Sequence, residues 1–388
     1  MKGYVYMLFI GGVLCFGCKE RNHSMLERIL SGGSEQFRAI LYDPKHEIQI
    51  IYGEIVDDTI IHHAFHVEDQ AYFYPASTIK MPVAFAAFKR AQEENISLDD
   101  YLIIDSTQVY PRSVAFDSTF QDSLTIRNLA KMIFTVSDNA ANNILFGWLG
   151  KDYLNELYQN LGSPTRIVHQ LGESAYSFKP ISNQYTRQIR FTRAGEMLKT
   201  FDEEEQLFKS SLQPSQQLKG MGYTDSLGQL VKEPFDFSKK NFVPLQSLLE
   251  ILQMGVRPEL LSARQQLGLD PDYQKALLET MDLLPADLPA PYDSLPDTYV
   301  KFLMFGAEEN LDIPASMQIR NKVGWAYGYL SDIAYIKDTT HDIQFFLAAV
   351  IHVNENRIYN DGVYEYEEIG LPFLDELGDL VYQYELTK

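Results

Sequence analysis

The eight consecutive residues Met81-Pro82-Val83-Ala84-Phe85-Ala86-Ala87-Phe88 carry no charge and no polar side chain. A helix that is apolar on every face has to be covered on every face. The segment therefore reads as a helix buried at the middle of the fold, and the rest of the chain must supply layers around it. With 388 residues, 45% hydrophobic and 22% charged, the chain can build such a core.

Alternating and periodic patterns indicate the covering layers. Residues 37–42 and 48–55 alternate apolar and polar around Asp43-Pro44-Lys45-His46 and read as a β-hairpin. Residues 318–323, 329–336 and 343–353 read as strands. Residues 24–30, 124–136, 139–149 and 367–385 read as helices. The expected fold class is α/β of the α+β type: an antiparallel sheet built from both chain ends and flanked by helices, with a mainly helical subdomain between. Residues 202–296 hold an acidic run at Glu203-Glu204-Glu205, a helical pattern over 243–254 and a Pro-rich stretch over 285–296. They carry no motif and read as an enlarged insertion in the helical subdomain, not as a separate domain.

A formal net charge of −20 argues against a nucleic-acid partner, since phosphate binding needs clustered Lys and Arg. The N-terminus has one Lys, an apolar run over 4–17, then Cys18-Lys19-Glu20-Arg21. Residues 1–17 read as a secretory signal, because about fourteen apolar residues fall short of the roughly twenty needed to span a bilayer. Leu14-Cys15-Phe16-Gly17-Cys18 resembles a bacterial lipoprotein box, which implies that Cys18 is lipidated and opens a mature chain of residues 18–388. The expectation is an exported periplasmic or outer-membrane lipoprotein, held at the membrane by its lipid. No Cys follows Cys18, which leaves no disulfide framework. His62, His63 and His66 would point to opposite sides of a strand, so no metal or other cofactor is expected.

Ser77-Thr78-Ile79-Lys80 stands directly before and into the apolar helix. A helix N-terminus offers unpaired N–H groups and a positive dipole end to a developing alkoxide at Ser77. Lys80, three residues on, shares that face, and as a neutral amine it could take the Ser77 proton. Burial and a second cation, Lys322, would lower its pKa. Alone, the pattern would equally fit a capping Ser before a solvated Lys. It is followed by Ser137-Asp138-Asn139, 60 positions after Ser77, and by Lys322-Val323-Gly324-Trp325 on an expected strand. The Lys322 charge could attract a substrate carboxylate, and Gly324 would let backbone approach the acyl group.

Together these three motifs resemble the S-x-x-K, S-D-N and K-T-G set of class A β-lactamases and the wider penicillin-recognising serine superfamily. Residues 137–145, Ser-Asp-Asn-Ala-Ala-Asn-Asn-Ile-Leu, extend the resemblance. It implies Ser77 as nucleophile, Lys80 as its base, and Ser137 passing a proton to the leaving nitrogen. It further implies Asn139 binding the substrate's side-chain amide, and the Ser77 and Trp325 N–H groups as an oxyanion hole. Val323 departs from the motif, since it lacks the hydroxyl that helps bind a carboxylate. Glu173 lies 36 positions after Ser137, at the spacing of the loop Glu that activates water in class A enzymes, although its flanking residues differ. It reads either as that base or as a solvated loop Glu. The implied activity is β-lactam hydrolysis through an acyl-enzyme on Ser77. The alternatives are a D-alanyl-D-alanine carboxypeptidase or esterase of the same fold, or a penicillin-binding sensor lipoprotein without turnover.

Overall fold

The computed structural model describes residues 24–107, 109, 124–172, 183–307 and 312–388. Cys18 and Glu173 lie outside the described residues. The frame is a five-stranded antiparallel sheet that joins the two ends of the chain. Its strands are β1 (Gln49–Val56), β2 (Thr59–Phe65), β6 (Met317–Ala326), β7 (Tyr329–Asp338) and β8 (Ile343–His352), in the order β6-β7-β8-β1-β2. A separate three-stranded antiparallel sheet holds β3 (Tyr101–Ile104), β4 (Ile189–Arg193) and β5 (Glu196–Phe201).

The central strands are buried on both faces, and their side chains divide by parity. Leu330, Ala334 and Ile336 of β7 face one core, together with Leu26, Phe37, Phe373 and Leu374. Tyr329, Ile333 and Tyr335 face the other, together with Phe85 and Leu248. The first core is covered by α1 (Met25–Leu30), α2 (Glu35–Leu41) and the C-terminal α8 (Leu371–Leu386). The second holds α3 (Lys80–Glu93), in which every residue from Lys80 to Phe88 is buried. That burial satisfies the demand of its all-round apolar sequence.

The hairpin expected over residues 37–55 does not form. Residues 35–41 are the helix α2, capped by the Ser34 hydroxyl, which accepts from the Phe37 N–H at 3.0 Å. Phe37 and Leu41, four apart, bury on one side, and Phe37 stacks on Phe373 with ring centroids 4.6 Å apart. The apolar–polar alternation fits a strand, but the cap and the i, i+4 pair fit a helix, and docking onto α8 decides. β1 pairs instead with β2, across Asp57 and Asp58, whose φ values of 46° and 58° suit a tight hairpin turn.

The middle of the chain contributes α4 (Ile126–Thr135), α5 (Asn139–Leu161), α6 (Leu245–Val256) and α7 (Pro271–Met281). Residues 202–296 also form short pairs, Leu218–Lys219 with Phe235–Asp236 and Gly222–Thr224 with Leu230–Val231 and Ile358–Tyr359. Helix α6 from this segment packs under the main sheet: Gly255 leaves no room for a side chain against the Phe85 ring, and Arg257 donates to the Tyr335 hydroxyl at 3.1 Å. Its Gln253 reaches His62 at 2.8 Å, and His63 pairs with Glu54.

Candidate active site

Pro75 to Lys80 is a 3₁₀ turn, Ala76–Ile79, that runs directly into α3. Ser77 therefore sits one turn ahead of the α-helix proper. Ala76 adopts a φ of 46°, unusual for a residue with a side chain, and Ser137 a φ of 56°. Such conformations cost of order 1 kcal/mol each and persist only where the surroundings enforce them. Here they flank the two hydroxyls that the sequence motifs single out.

The α4–α5 junction supplies the second motif. Asp138 caps α5 by accepting from the Ala141 N–H at 2.6 Å, which leaves Ser137 on the tight bend before the helix and Asn139 exposed at its first position. The third motif comes from edge strand β6. Gly324 lies so close to the Ser77 turn that an added Cβ would fall 2.6 Å from the Pro75 carbonyl oxygen and 3.0 Å from the Thr78 nitrogen. Only a glycine lets the strand end approach this turn. Trp325, the next residue, borders the same cleft as Ser77.

The three segments converge on Ser137. Lys80 donates to the Ser137 carbonyl oxygen, and its Nζ lies 3.2 Å from Ser137 Oγ. Lys322 Nζ lies 2.7 Å from the same Oγ and 3.0 Å from the Val323 carbonyl oxygen. Both lysines are fully buried. Burial lowers the Lys80 pKa to about 7, against a smaller opposing pull from Asp138. Burial is also the main cause that pushes Lys322 well below its usual range, and repulsion from Lys80 adds to it. Of the two causes expected to lower Lys80, burial is the one that acts; the repulsion falls on Lys322 instead. Both are driven toward the neutral form in which an amine can accept a proton.

Ser77 lies where two hollows meet. The larger, about 550 Å³, is bordered by Tyr74, Asn139, His169, Trp325, Tyr327 and Tyr364. The smaller, about 180 Å³, is bordered by Ser137, Tyr299, Val300, Phe302, Val323 and Gly324. Ser77, Asn139 and Trp325 border both. The structure thus brings Ser77, Lys80, Ser137, Asn139, Lys322, Gly324 and Trp325 into one cleft.

Several residues around this cleft were not singled out from the sequence. Asn143 clamps the 168–172 loop, accepting from the Leu171 N–H at 2.8 Å and donating to its carbonyl at 2.6 Å. His169 in that loop faces the Gln170 carbonyl through Nδ1 at 2.6 Å, while its Nε2 accepts from the Asn241 N–H at 3.1 Å. Desolvation holds its pKa near 4, so it stays neutral. Beneath β6, Lys301 donates to Ile319 O and Asn321 Oδ1, and Asn321 donates to Asp332, which also accepts from the Leu303 N–H. Burial pushes Asp332 up to about 6 and Lys301 down to about 8. Of these, only Asn143, the last Asn of Ser-Asp-Asn-Ala-Ala-Asn-Asn, gave a local signal. The others become visible only when distant segments meet. Among the described residues, no group of His, Cys, Asp and Glu is arranged to hold a metal ion.

Residues 34–207 match the family described as the beta-lactamase enzyme family. A stretch of 107 residues is 31% identical to a beta-lactamase of Rhodobacter capsulatus. It covers 27% of this chain and 36% of that protein, so the chain spans about a third of the relative's length. Across the fold, the chain is similar to the TLA-3 extended-spectrum beta-lactamase, with a TM-score of 0.52, 13% identity, and coverage of 93% of this chain and 99% of that one. It is similar to the same degree to a beta-lactamase from Desulfarculus baarsii, with a TM-score of 0.51, 13% identity, and coverage of 92% and 99%. At these identities the likeness is one of fold. The chain has the α/β fold of class A β-lactamases, and its residues 34–207 are similar to the beta-lactamase enzyme family.

Proposed function

We propose that the protein is a serine hydrolase of the β-lactamase type, which opens a β-lactam amide or a related activated acyl bond through an acyl-enzyme on Ser77. The observation that carries this reading is the convergence of two buried, deprotonation-prone amines on one hydroxyl beside Ser77. Lys80, neutral near pH 7, takes the Ser77 Oγ proton as Oγ adds to the carbonyl carbon. Negative charge then builds on the carbonyl oxygen, where backbone N–H groups of Ser77 and Trp325 would face it. Ser137, poised between Lys80 and Lys322, hands a proton to the leaving atom as its bond to carbon breaks, and takes in its place the proton that Lys80 had accepted. Water then adds to the acyl carbon and releases Ser77. Glu173 is a candidate for activating that water.

Intact-mass spectrometry with a penicillin or a chromogenic cephalosporin tests this. Wild type should gain the mass of the compound on Ser77, and Ser77→Ala should gain none. An adduct that survives in Ser77→Ala, or none in either protein at millimolar compound, refutes the assignment. Val323, in place of a hydroxyl residue, gives weight to a second reading, an esterase or D-alanyl-D-alanine carboxypeptidase on the same groups. A long-lived adduct without turnover would favour it, or a penicillin-binding sensor role.

The apolar leader and Cys18 support export and lipid anchoring. Cys18→Ser should release the protein from the membrane fraction, and unchanged partition would refute the anchor.

A further inference from the structure

Neither hollow beside Ser77 is bordered by a charged side chain of the described residues. The smaller one, which receives the leaving group if Ser137 protonates it, is walled by Val136, Tyr299, Val300, Phe302 and Val323. A carboxylate placed there needs a cation or free donors, because a charge moved out of water without a partner is strongly disfavoured. Lys322 is the nearest cation by position, yet it is buried under the wall and its Nζ is already bonded to Ser137 Oγ and the Val323 carbonyl. Lys80, on the same Ser137 oxygen, adds repulsion against a charged Lys322.

The neighbouring strand offers no replacement. Across from Val323 and Gly324 in β7 stand Asp332 and Ser331, an acid and a neutral residue. Lys301, the other buried amine behind β6, is turned to Ile319 O and Asn321 Oδ1. Lys240 lies over the ring of Tyr327, 5.6 Å from its centroid, and does not itself border the larger hollow. That hollow presents aromatic rings and the Asn139 carboxamide, surfaces suited to an apolar or aromatic acyl group with an amide.

We infer that the cleft selects an acyl substrate with an uncharged, apolar leaving group and an aromatic or amide-bearing acyl part, and disfavours one with a carboxylate beside the scissile bond. This rests on Ser77 being the nucleophile, and it moves the function toward cleavage of neutral esters. In that reaction Ser77 Oγ bonds to the ester carbon, its proton passes to Lys80, and the carbon–oxygen bond to the leaving alcohol breaks. The alcohol takes a proton from Ser137, which regains one from Lys80 across 3.2 Å; water then adds to the acyl carbon, one of its protons passes to the departing Ser77 Oγ, and the carboxylic acid leaves.

The test compares a chromogenic cephalosporin bearing its ring carboxylate with the methyl ester of that carboxylate, which keeps the same scissile amide. Acylation rates of wild-type protein are read by intact mass, each corrected for the compound's rate with hydroxide. The ester should acylate Ser77 at least about tenfold faster. Val323→Thr, which adds a hydroxyl donor to the small hollow, should narrow the gap. Equal corrected rates, or a faster acid, overturn the inference while leaving Ser77 as nucleophile. If neither compound nor neutral nitrophenyl acetate labels Ser77, the acyl-enzyme reading fails, and the inference falls with it.

Discussion

Lys80 offers the sharpest quantitative test, because its burial ties catalysis to stability. Folding moves its pKa from 10.5 to about 7, with desolvation as the main cause. Between these values the unfolded chain holds a proton that the folded chain does not, so stability rises with pH across that window. Below pH 7 both states hold the proton, and the penalty for burying the cation is present in full. Each pH unit inside the window is worth about 1.4 kcal/mol, so raising the pH from 6 to 9 should stabilise the wild type by about 3 kcal/mol through this group. Lys80→Met keeps an unbranched side chain of similar length and removes the titration. It also relieves the repulsion on Lys322, which flattens the variant's profile further in the same sense. Urea unfolding of both proteins at pH 6 and pH 9, extrapolated to water, measures the difference. The wild type should gain about 3 kcal/mol relative to the variant, and the variant should be the more stable of the two at pH 6. Profiles that run parallel to within about 1 kcal/mol would refute the buried, neutral amine, and with it the base assigned to Ser77. The same proton predicts that acylation climbs with pH along a limb centred near 7.

Two further outcomes follow from the packing. Gly324→Ala puts a Cβ 2.6 Å from the Pro75 carbonyl oxygen, so the nucleophile turn or β6 must shift. Acylation of Ser77 should fall by about a hundredfold, and unchanged acylation rates would show that the close approach is dispensable. Lys301→Met removes one of the two buried amines, with Lys322, whose charge favours the ionised form of Asp332. The Asp332 pKa is raised to about 6 from 3.8, so the folded state binds the extra proton and stability falls as pH rises through that window. The variant should therefore lose about 3–5 kcal/mol at pH 8 and less at pH 5, where Asp332 is protonated. Equal losses at both pH values in urea unfolding would show that Lys301 acts by packing alone.

Much of this was legible before any coordinates. The all-apolar run 81–88 required a central helix, and α3 is one. Ser-x-x-Lys, Ser-Asp-Asn and Lys-x-Gly are local signals whose spacing survives any folding detail, and the three do share one cleft. The misreading of residues 37–42 has a local cause too: a short amphipathic stretch satisfies both periods, and only docking of Phe37 on Phe373 chooses between them.

The chain order alone determined the candidate nucleophile, the amines and the buried helix, because each is a matter of residue type at short range. Tertiary structure alone decided the character of the cleft. Its apolar wall draws Tyr299, Val300 and Phe302 from one segment and Val323 from another. The amine beneath is committed to Ser137, more than a hundred and eighty positions away. Charge and solvation at a point in space are sums over everything nearby, and proximity of that kind is written in no single stretch of the sequence.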